Sequence, residues 1–240
     1  MKGVILAGGT GTRLRPMTSI VNKHLLPVGK HPMIHYAIEK MAEAGIKQVL
    51  LIIGKQSAGL YMDYIGLGQQ WGVEICYKIQ ENAGGIAQGL ALAEGYTLPG
   101  EKLLLILADN LFEDSLNAQV QKFESQGTGA HVFLKQMKDS RRYGVPVFDQ
   151  GRIARILEKP ANPPSDYAVT GIYLYDDQVF DIIRTLQPSA RGELEITDLN
   201  NVYAERGALS HSLLSGWWVD AGTHRSLLDA GMKLLERDRL

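Results

Sequence analysis

Cysteine is almost absent from this chain of 240 residues, which contains only Cys76. A single cysteine excludes an intramolecular disulfide and any metal site built from several thiolates, and it fits a reducing compartment. Cys76 lies in an apolar segment, so we expect it to be buried. No apolar run approaches the roughly 18 residues of a membrane-spanning helix, and the N-terminus has no signal-peptide pattern. We therefore expect a cytoplasmic protein that does not bind a membrane.

An excess of charge of either sign is also absent, because the chain contains 25 Lys and Arg residues and 26 Asp and Glu residues. A chain this close to neutrality offers no broad basic surface, so we do not expect nucleic acid as a partner. Hydrophobic residues make up 45% of the chain and charged residues 21%, as in folded globular proteins. No linker or repeat divides the chain. We expect one domain over residues 1–240. Its halves, 1–128 and 129–240, differ in the predicted pattern of strands and helices.

Short apolar runs alternate with helical patterns along most of the chain. The patterns predict strands at residues 3–7, 49–53, 73–79, 103–107, 131–136, 145–148, 153–157 and 169–175. They predict helices at residues 33–44, 86–95, 179–186, 196–205 and 225–237. Strands separated by helices are typical of doubly wound sheets. We predict an α/β, Rossmann-like fold with a mixed, mainly parallel sheet, whose second half adds strands over the C-terminal edge where ligands bind.

A glycine-rich segment, GGTGTRLRP at residues 8–16, directly follows the first predicted strand. Such glycines let backbone amides approach a phosphate closely, and nearby cations suit a polyphosphate. The dinucleotide fingerprint does not fit, because Leu14 stands where its third glycine is needed, and no Gly-Lys-Ser/Thr completes a P-loop. The second strand ends in Gly54 and Lys55 rather than in a ribose-binding acid. The segment predicts phosphate binding with Arg13 and Lys23, and a tight turn with solvated bases is the alternative.

Separated motifs along nearly the whole chain resemble those of the sugar-1-phosphate nucleotidylyltransferases, in their glucose-1-phosphate thymidylyltransferase branch. The motifs are KGVILAGGTGTRL (2–14), NKHLLPV (22–28), GGIAQGL (84–90), ADN (108–110), EKP (158–160), RGELEITD (191–198) and WWVDAGT (217–223). The resemblance implies the nucleotide-diphospho-sugar transferase fold and an Mg²⁺-dependent reaction of dTTP with glucose 1-phosphate, giving dTDP-glucose and pyrophosphate. It also implies supply of deoxysugars such as rhamnose for polysaccharide. The sugar phosphate is the nucleophile, so the protein must supply cations, amides and alignment.

The resemblance further implies a division of roles, with nucleotide binding in residues 1–128 and sugar binding in residues 129–240. The expected catalytic cations are Arg13, Lys23 and Lys159. The expected nucleotide contacts are Leu6, Gly8, Gly9, Gly11, Thr12, Gln80 and Gly85. The expected sugar-phosphate contacts are Tyr143, Gly144, Glu158, Lys159, Val169, Tyr173, Arg191 and Glu195. A glutamine amide suits thymine or uracil but can flip to suit cytosine, so backbone groups near Gly85 would have to fix its orientation.

Two aspartates, Asp109 and Asp220, each follow a predicted apolar strand. Mg²⁺ takes hard oxygen ligands, typically one or two carboxylates completed by phosphates and water. Either aspartate alone could merely cap a turn. Since both match the family's metal pair, we predict that they bind Mg²⁺. The chain departs from the family pattern at His24, where glutamine is usual, and no role is assigned to Asn110.

Three alternatives to thymidylyl transfer remain at this point. The enzyme could be a uridylyltransferase, it could use another sugar 1-phosphate, or the chain could be a nucleotide-sugar sensing module without turnover. Long family members continue for tens of residues beyond the last helix, whereas this sequence stops at Leu240. We therefore expect a short form without the family's feedback site or tetramer, present as a monomer or as a smaller homo-oligomer.

Overall fold

The computed structural model describes residues 1–237, and β-strands supply its central layer. The strands are β1 (Lys2–Ala7), β2 (Pro27–Val28), β3 (His31–Pro32), β4 (Gln48–Gly54), β5 (Glu74–Gln80), β6 (Leu103–Leu107), β7 (Asn110–Phe112), β8 (Ala130–Gln136), β9 (Gly144–Asp149), β10 (Arg152–Glu158), β11 (Tyr167–Tyr175), β12 (Leu209–Leu213) and β13 (Trp218–Asp220). The helices are α1 (Met33–Glu43), α2 (Ala58–Ile65), α3 (Ile86–Ala91), α4 (Asn117–Ser125), α5 (Val179–Ile183), α6 (Ile196–Glu205) and α7 (His224–Arg237).

Seven of these strands form one sheet in the order β12-β8-β11-β6-β1-β4-β5. Every neighbouring pair is parallel except the two that involve β11, so β11 alone runs in the opposite direction. The sheet is therefore mixed and mainly parallel, as predicted. Strands β8, β11 and β12 extend it sideways beyond β6, and the separate β9–β10 hairpin adds the remaining strands of the second half.

Helices cover both faces of the sheet because alternate residues of each strand point to opposite sides. Ile5 of β1 belongs to one apolar cluster with α1, α2 and α4, whereas Val4 belongs to another with α3, α5 and α6. In α1 the residues at 34, 37, 38 and 41 form the buried stripe that an amphipathic helix needs. A third cluster packs Leu227 and Leu234 of α7 against Val28.

Two short antiparallel ribbons bring the second half of the chain to the carboxyl ends of the central strands. The β7–β13 ribbon follows β6 directly and pairs Asn110 with Asp220. The β9–β10 hairpin turns at Gln150 and Gly151, both of which have positive φ, as a two-residue hairpin turn requires. These ribbons, with β6 and β11, form the walls of the cavity described below.

Most of the predicted elements are present within a few residues of their predicted bounds. The structure also contains several short helices and strands that were not predicted. The sequence did not indicate α2, α4, β2, β3, β7 or β12, since α4 buries only Val120 and Phe123 and the alternating serines of β12 make it polar. The prediction that Cys76 is buried is wrong: β5 is an edge strand and the Cys76 side chain is exposed. Within residues 1–237, no helix is long and apolar enough to cross a bilayer. Leu240, on which the expected short form depends, lies outside the described residues.

Candidate active site

A cavity of about 500 Å³ opens at the carboxyl end of β6, between the β9–β10 hairpin, β11 and the start of α6. This volume falls within the range of small-molecule sites. Eleven of the residues singled out from the sequence line it: Arg13, Asp109, Tyr143, Gly144, Glu158, Lys159, Val169, Tyr173, Arg191, Glu195 and Asp220. The structure thus brings all of the predicted sugar-phosphate residues together with both predicted metal ligands.

The two aspartates meet because β7 and β13 pair side by side. The backbone N–H of Ala221 donates to the carbonyl oxygen of Asp109 at 2.9 Å, which holds the two strand ends together. The N–H of Gly222 donates to Oδ1 of Asp220 at 3.1 Å. A Cβ at position 222 would lie 2.9 Å from an Nη atom of Arg13, so the glycine leaves room for this guanidinium beside Asp220.

The surroundings of the two aspartates shift the pKa values of their carboxyl groups in opposite directions. Burial alone would raise the pKa of Asp109, but the charge of Lys23 and the hydrogen bonds from Lys23 and Asn110 lower it well below its usual value. Burial raises the pKa of Asp220, and the charge of Asp109 raises it further against the opposing cations, among them Arg13. Asp109 is therefore held ionised, and Asp220 takes up a proton more readily than an exposed aspartate.

The donor set of this edge fits Mg²⁺. Among the residues that the structure describes, no group of three or more His, Cys, Asp or Glu side chains could enclose a metal ion. Asp109 and Asp220 would be the protein's carboxylate ligands because they lie at the ends of paired strands. That number is what Mg²⁺ usually takes from a protein when substrate phosphates and water complete its octahedron.

Asn110 fixes the Asp109 carboxylate, a role that the sequence did not reveal. Its Oδ1 accepts hydrogen bonds from the N–H of Gly171 and from Nε1 of Trp218, both at 2.8 Å. Because both partners are donors, its Nδ2 must face Asp109, and it donates to Oδ1 of that residue at 3.0 Å. A Cβ at position 171 would lie 2.5 Å from Nδ2 of Asn110, so this mid-strand glycine is the sequence signal that could have indicated the contact.

The glycine-rich loop packs on the stem of Lys23. A Cβ at Gly9 would lie 3.4 Å from Cε of Lys23, and one at Gly11, where φ is +64°, would lie 2.9 Å from its Cβ. Nδ2 of Asn22 donates to the carbonyl of Gly9 at 3.1 Å. The ammonium of Lys23 then reaches the carboxylate of Asp109. The glycine-rich loop is therefore connected through Lys23 to Asp109, one of the two predicted metal ligands.

His24 lies buried beneath this loop in the neutral form. Its Nδ1 lies 3.1 Å from the carbonyl of Ala7 and 2.8 Å from Oδ1 of Asn22, which also accepts from the hydroxyl of Tyr61. Burial, assisted by the charge of Lys23, lowers the pKa of His24 to about 3. Since the carbonyl of Ala7 can only accept, Nδ1 carries the proton, and His24 supports the loop as a neutral donor.

The predicted nucleotide residues lie beside the cavity, at the carboxyl ends of β1 and β5 and at the start of α3. Leu6, Gly8, Gly9 and Gly11 follow or end β1, Thr12 is exposed at the turn after it, Gln80 ends β5, and Gly85 precedes α3. Gly85 has a φ of +104° and packs against the backbone of Leu194, so only glycine fits there. Leu194 in turn donates its N–H to the carbonyl of Gly84 at 2.8 Å.

On the opposite side, Arg191 lies in a network of carboxylates. Oε1 and Oε2 of Glu195 both accept from Arg191, at 2.8 to 3.2 Å, and Ser189 donates to the same carboxylate. Thr197 donates to Oε2 of Glu158 at 2.6 Å, and the ammonium of Lys159 lies 2.9 Å from Oε1 of Glu158. Both oxygens of Glu195 are thus bonded within the protein. The side chain holds Arg191 in place at the wall of the cavity, which Glu195 itself lines.

Aromatic side chains form the remaining wall. The rings of Tyr143 and Trp218 meet edge to face with centroids 5.2 Å apart, and Tyr173 is almost fully buried. Burial raises the pKa of Tyr173, so its hydroxyl stays protonated and can donate into the cavity. Arg142, which the sequence did not single out, also lines the cavity and belongs to the cations that oppose the high pKa of Asp220.

The chain matches the family model described as nucleotidyl transferase over residues 2–237. It is 44% identical over 233 residues to a glucose-1-phosphate thymidylyltransferase of Xanthomonas campestris pv. campestris (strain B100), covering 95% of this chain and 79% of that protein. The Neisseria meningitidis serogroup A protein of the same name is 42% identical over 234 residues, with coverages of 96% and 81%.

Solved structures show the same likeness. A Bacillus anthracis protein crystallised with sucrose, and assigned provisionally as a glucose-1-phosphate thymidylyltransferase, has a TM-score of 0.94 and 49% identity. The match covers 98% of this chain and 96% of that one. A UDP-glucose pyrophosphorylase complexed with UDP-glucose has a TM-score of 0.85 at 24% identity, with coverages of 98% and 98%, and supports the fold.

Proposed function

The chain belongs to the nucleotidyl transferase family, and we propose that it transfers a thymidylyl group from dTTP to glucose 1-phosphate, giving dTDP-glucose and pyrophosphate. The observation that carries this proposal is the meeting of Asp109, Asp220 and Arg13 at the edge of a cavity of about 500 Å³. The names of the relatives support the choice of nucleotide and sugar. The proposal includes a cytoplasmic location, where the exposed thiol of Cys76 would stay reduced.

In this reaction an oxygen of the sugar phosphate attacks the α-phosphorus of the triphosphate. A new P–O bond forms as the bond between the α-phosphorus and the departing pyrophosphate breaks, and no proton needs to move. The protein's contribution is therefore alignment and charge compensation in a preformed site. Mg²⁺, bound by Asp109 and Asp220, would supply positive charge to the phosphates.

The residues of the chain divide between the two reacting anions. Arg13, beside Gly222 and Asp220, and Lys23, beneath the glycine-rich loop, would hold the triphosphate and its departing end. Lys159 and Arg191, which line the cavity, would hold the sugar phosphate. The ion pairs of Lys159 with Glu158 and of Arg191 with Glu195 restrict both cations before substrate arrives. Restriction of this kind lowers the entropy lost when the two anions are aligned.

The test is release of pyrophosphate by purified protein with glucose 1-phosphate, compared for dTTP and UTP at several magnesium concentrations and after chelation. The proposal expects magnesium-dependent release with dTTP favoured. Asp109→Asn and Asp220→Asn serve as matched variants, since each keeps the shape of the side chain and removes one metal-binding charge. Both should lose activity, most severely at low magnesium.

The other outcomes separate the alternatives. Faster release with UTP would make the protein a uridylyltransferase. No release with any triphosphate, despite tight binding of a nucleotide sugar, would make it a sensing module. Full activity of both aspartate variants at low magnesium would show that the metal ligands are wrongly assigned.

A further inference from the structure

We propose that Gln88 is a specificity-determining residue, which fixes the side-chain amide of Gln80 in one orientation and thereby selects thymine or uracil over cytosine. The inference rests on the proposed function and on the expectation from the sequence that Gln80 contacts the pyrimidine base. It goes beyond that function because it gives a role to a residue of α3 that would not touch the base itself.

The orientation of Gln88 follows from a backbone contact. The N–H of Gly84 lies 3.0 Å from Oε1 of Gln88. A backbone N–H can only donate, so the oxygen of the Gln88 amide must face it. The reverse orientation would place the NH₂ group of Gln88 against this donor and leave both without an acceptor.

The orientation of Gln80 follows from that of Gln88. Nε2 of Gln80 donates to the same Oε1 of Gln88 at 2.9 Å. Because this oxygen can only accept, reversing the Gln80 amide would bring two oxygens together. One main-chain N–H therefore sets the direction of two consecutive amides, and it leaves Oε1 of Gln80 as the end that is not bonded to Gln88.

Glycines make room for both amides, which fill the space that side chains would take at these positions. A Cβ at Gly8 would lie 2.1 Å from Oε1 of Gln80, and a Cβ at Gly84 would lie 2.8 Å from the amide carbon of Gln88. Gly89 approaches from the other side, since its Cβ would lie 3.5 Å from Nε2 of Gln80. Gln80 is only 9% exposed. Gln80 is therefore buried, whereas Gln88 is half-buried beside it.

The position of the controlling N–H is itself held by the sugar side of the site. The carbonyl of Gly84 accepts from the N–H of Leu194, and the carbonyl of Leu194 accepts from the N–H of Ala87 at the start of α3. The sequence led us to expect that backbone groups near Gly85 orient the base-reading amide. The structure supplies this function one residue earlier, at Gly84, and through Gln88.

The consequence for the base depends on the atom at position 3 of the pyrimidine ring. Thymine and uracil carry a hydrogen on N3, which a fixed Oε1 of Gln80 can accept. Cytosine has an unprotonated N3 in the same place, so two acceptors would face each other. An amide free to rotate would turn its NH₂ group toward cytosine, as the flipping of glutamine amides allows. Gln88 prevents that rotation.

The experiment compares Gln88→Met, which keeps the volume but removes the acceptor, with Gln88→Glu, which keeps an oxygen for both donors. Pyrophosphate release with glucose 1-phosphate gives kcat/KM for dTTP and for dCTP. We expect Gln88→Met to reduce the preference for dTTP over dCTP about tenfold, the effect of roughly one hydrogen bond, mainly through KM. Gln88→Glu should keep the preference within about twofold, even where its charge weakens binding of both nucleotides.

Thermal melting of each variant, and Gln88→Leu in case the methionine variant does not fold, separates this effect from loss of structure. The inference is overturned if Gln88→Met keeps the wild-type preference, if both substitutions reduce the preference alike, or if the wild-type protein does not distinguish dTTP from dCTP. Failure of the proposed function would look different, because no triphosphate would release pyrophosphate. In that case equilibrium binding of dTTP and dCTP to the same variants decides the inference.

Discussion

The ammonium of Lys23 donates a hydrogen bond to Oδ2 of Asp109, which lies 86 residues further along the chain. Both side chains are 13% exposed. A cation proposed to bind the triphosphate and a carboxylate proposed to bind the metal therefore neutralise each other before substrate is present. When the metal–triphosphate complex binds, Lys23 can exchange the Asp109 carboxylate for a phosphate, and Asp109 can exchange the Lys23 ammonium for the metal ion. Neither side chain is then left without an opposite charge in a largely buried position.

The first prediction concerns Lys23→Met, which leaves Asp109 without this partner. We expect a loss of about 3–5 kcal/mol in the free energy of unfolding at pH 7, typical of a buried pair from which one member is removed. In the wild type the low pKa of Asp109 keeps its carboxylate paired well below pH 5. In the variant burial raises that pKa, so acidification protonates the unpaired group and relieves the penalty.

The destabilisation of Lys23→Met should therefore be smaller at pH 5 than at pH 7, measured by chemical denaturation at both. Lys55→Met, at an exposed position after β4, is the matched control and should stay within about 0.5 kcal/mol of the wild type at both pH values. An equal loss from Lys23→Met at the two pH values would contradict the interpretation of the pair.

Arg13→Ala is the second prediction, and it tests the proposal that Arg13 stabilises charge that develops in the transition state. Loss of one such preorganised donor typically lowers turnover about 100- to 1000-fold. Sugar-phosphate binding should be nearly unchanged, because Arg191 and Lys159 lie on the other wall of the cavity. Arg155→Ala, which exchanges an exposed arginine of β10 outside the cavity, controls for the loss of a positive charge. Turnover of Arg13→Ala near the wild-type rate would refute the role.

Much of the site could be predicted because its residues end strands. Asp109 follows a run of five apolar residues in β6, and the carboxyl ends of neighbouring strands meet at one edge of a sheet. The glycines after β1 likewise indicated a loop for phosphates. Such signals are local. They require only an apolar run that indicates a strand and a polar residue or glycine directly after that run.

The contacts that fix these residues could not be predicted in the same way. Asn110 acts through Gly171 and Trp218, which are distant in sequence, and the amide pair of Gln80 and Gln88 depends on one backbone N–H. Cys76 shows the corresponding limit for the fold. An apolar run around Cys76 is compatible with an edge strand as well as with a central strand. Burial of Cys76 therefore depends on the order of the strands in the sheet, which is a property of the whole chain.

His24→Gln is the third prediction, and it concerns how stability depends on pH. The pKa of His24 is lowered to about 3 in the folded protein. Its folded form therefore stays neutral between pH 7 and pH 5, whereas the unfolded chain gains a proton near pH 6.5. Acidification over this range should cost the wild type roughly 2 kcal/mol through this group alone. The glutamine variant lacks this contribution. Between pH 7 and pH 5 its free energy of unfolding should therefore fall by roughly 2 kcal/mol less than that of the wild type. Equal slopes in denaturation experiments at pH 5, 6 and 7 would exclude a buried neutral His24.

Asn110→Asp tests whether the amide of Asn110 sets the charge state of Asp109. The substituted side chain keeps an oxygen for Gly171 and Trp218 but replaces the donor to Asp109 with a second carboxylate oxygen. One of the two hydrogen bonds that lower the pKa of Asp109, that from Asn110, is then lost and a repulsive charge takes its place, so that pKa must rise. We expect turnover at pH 7 to fall about 10- to 100-fold, with a higher magnesium requirement and with the acidic limb of the pH profile moved to higher pH. Asn117→Asp, at an exposed position in α4, adds the same charge away from the site and should change none of these. If the acidic limb and the magnesium requirement of Asn110→Asp match the wild type, Asn110 does not control Asp109.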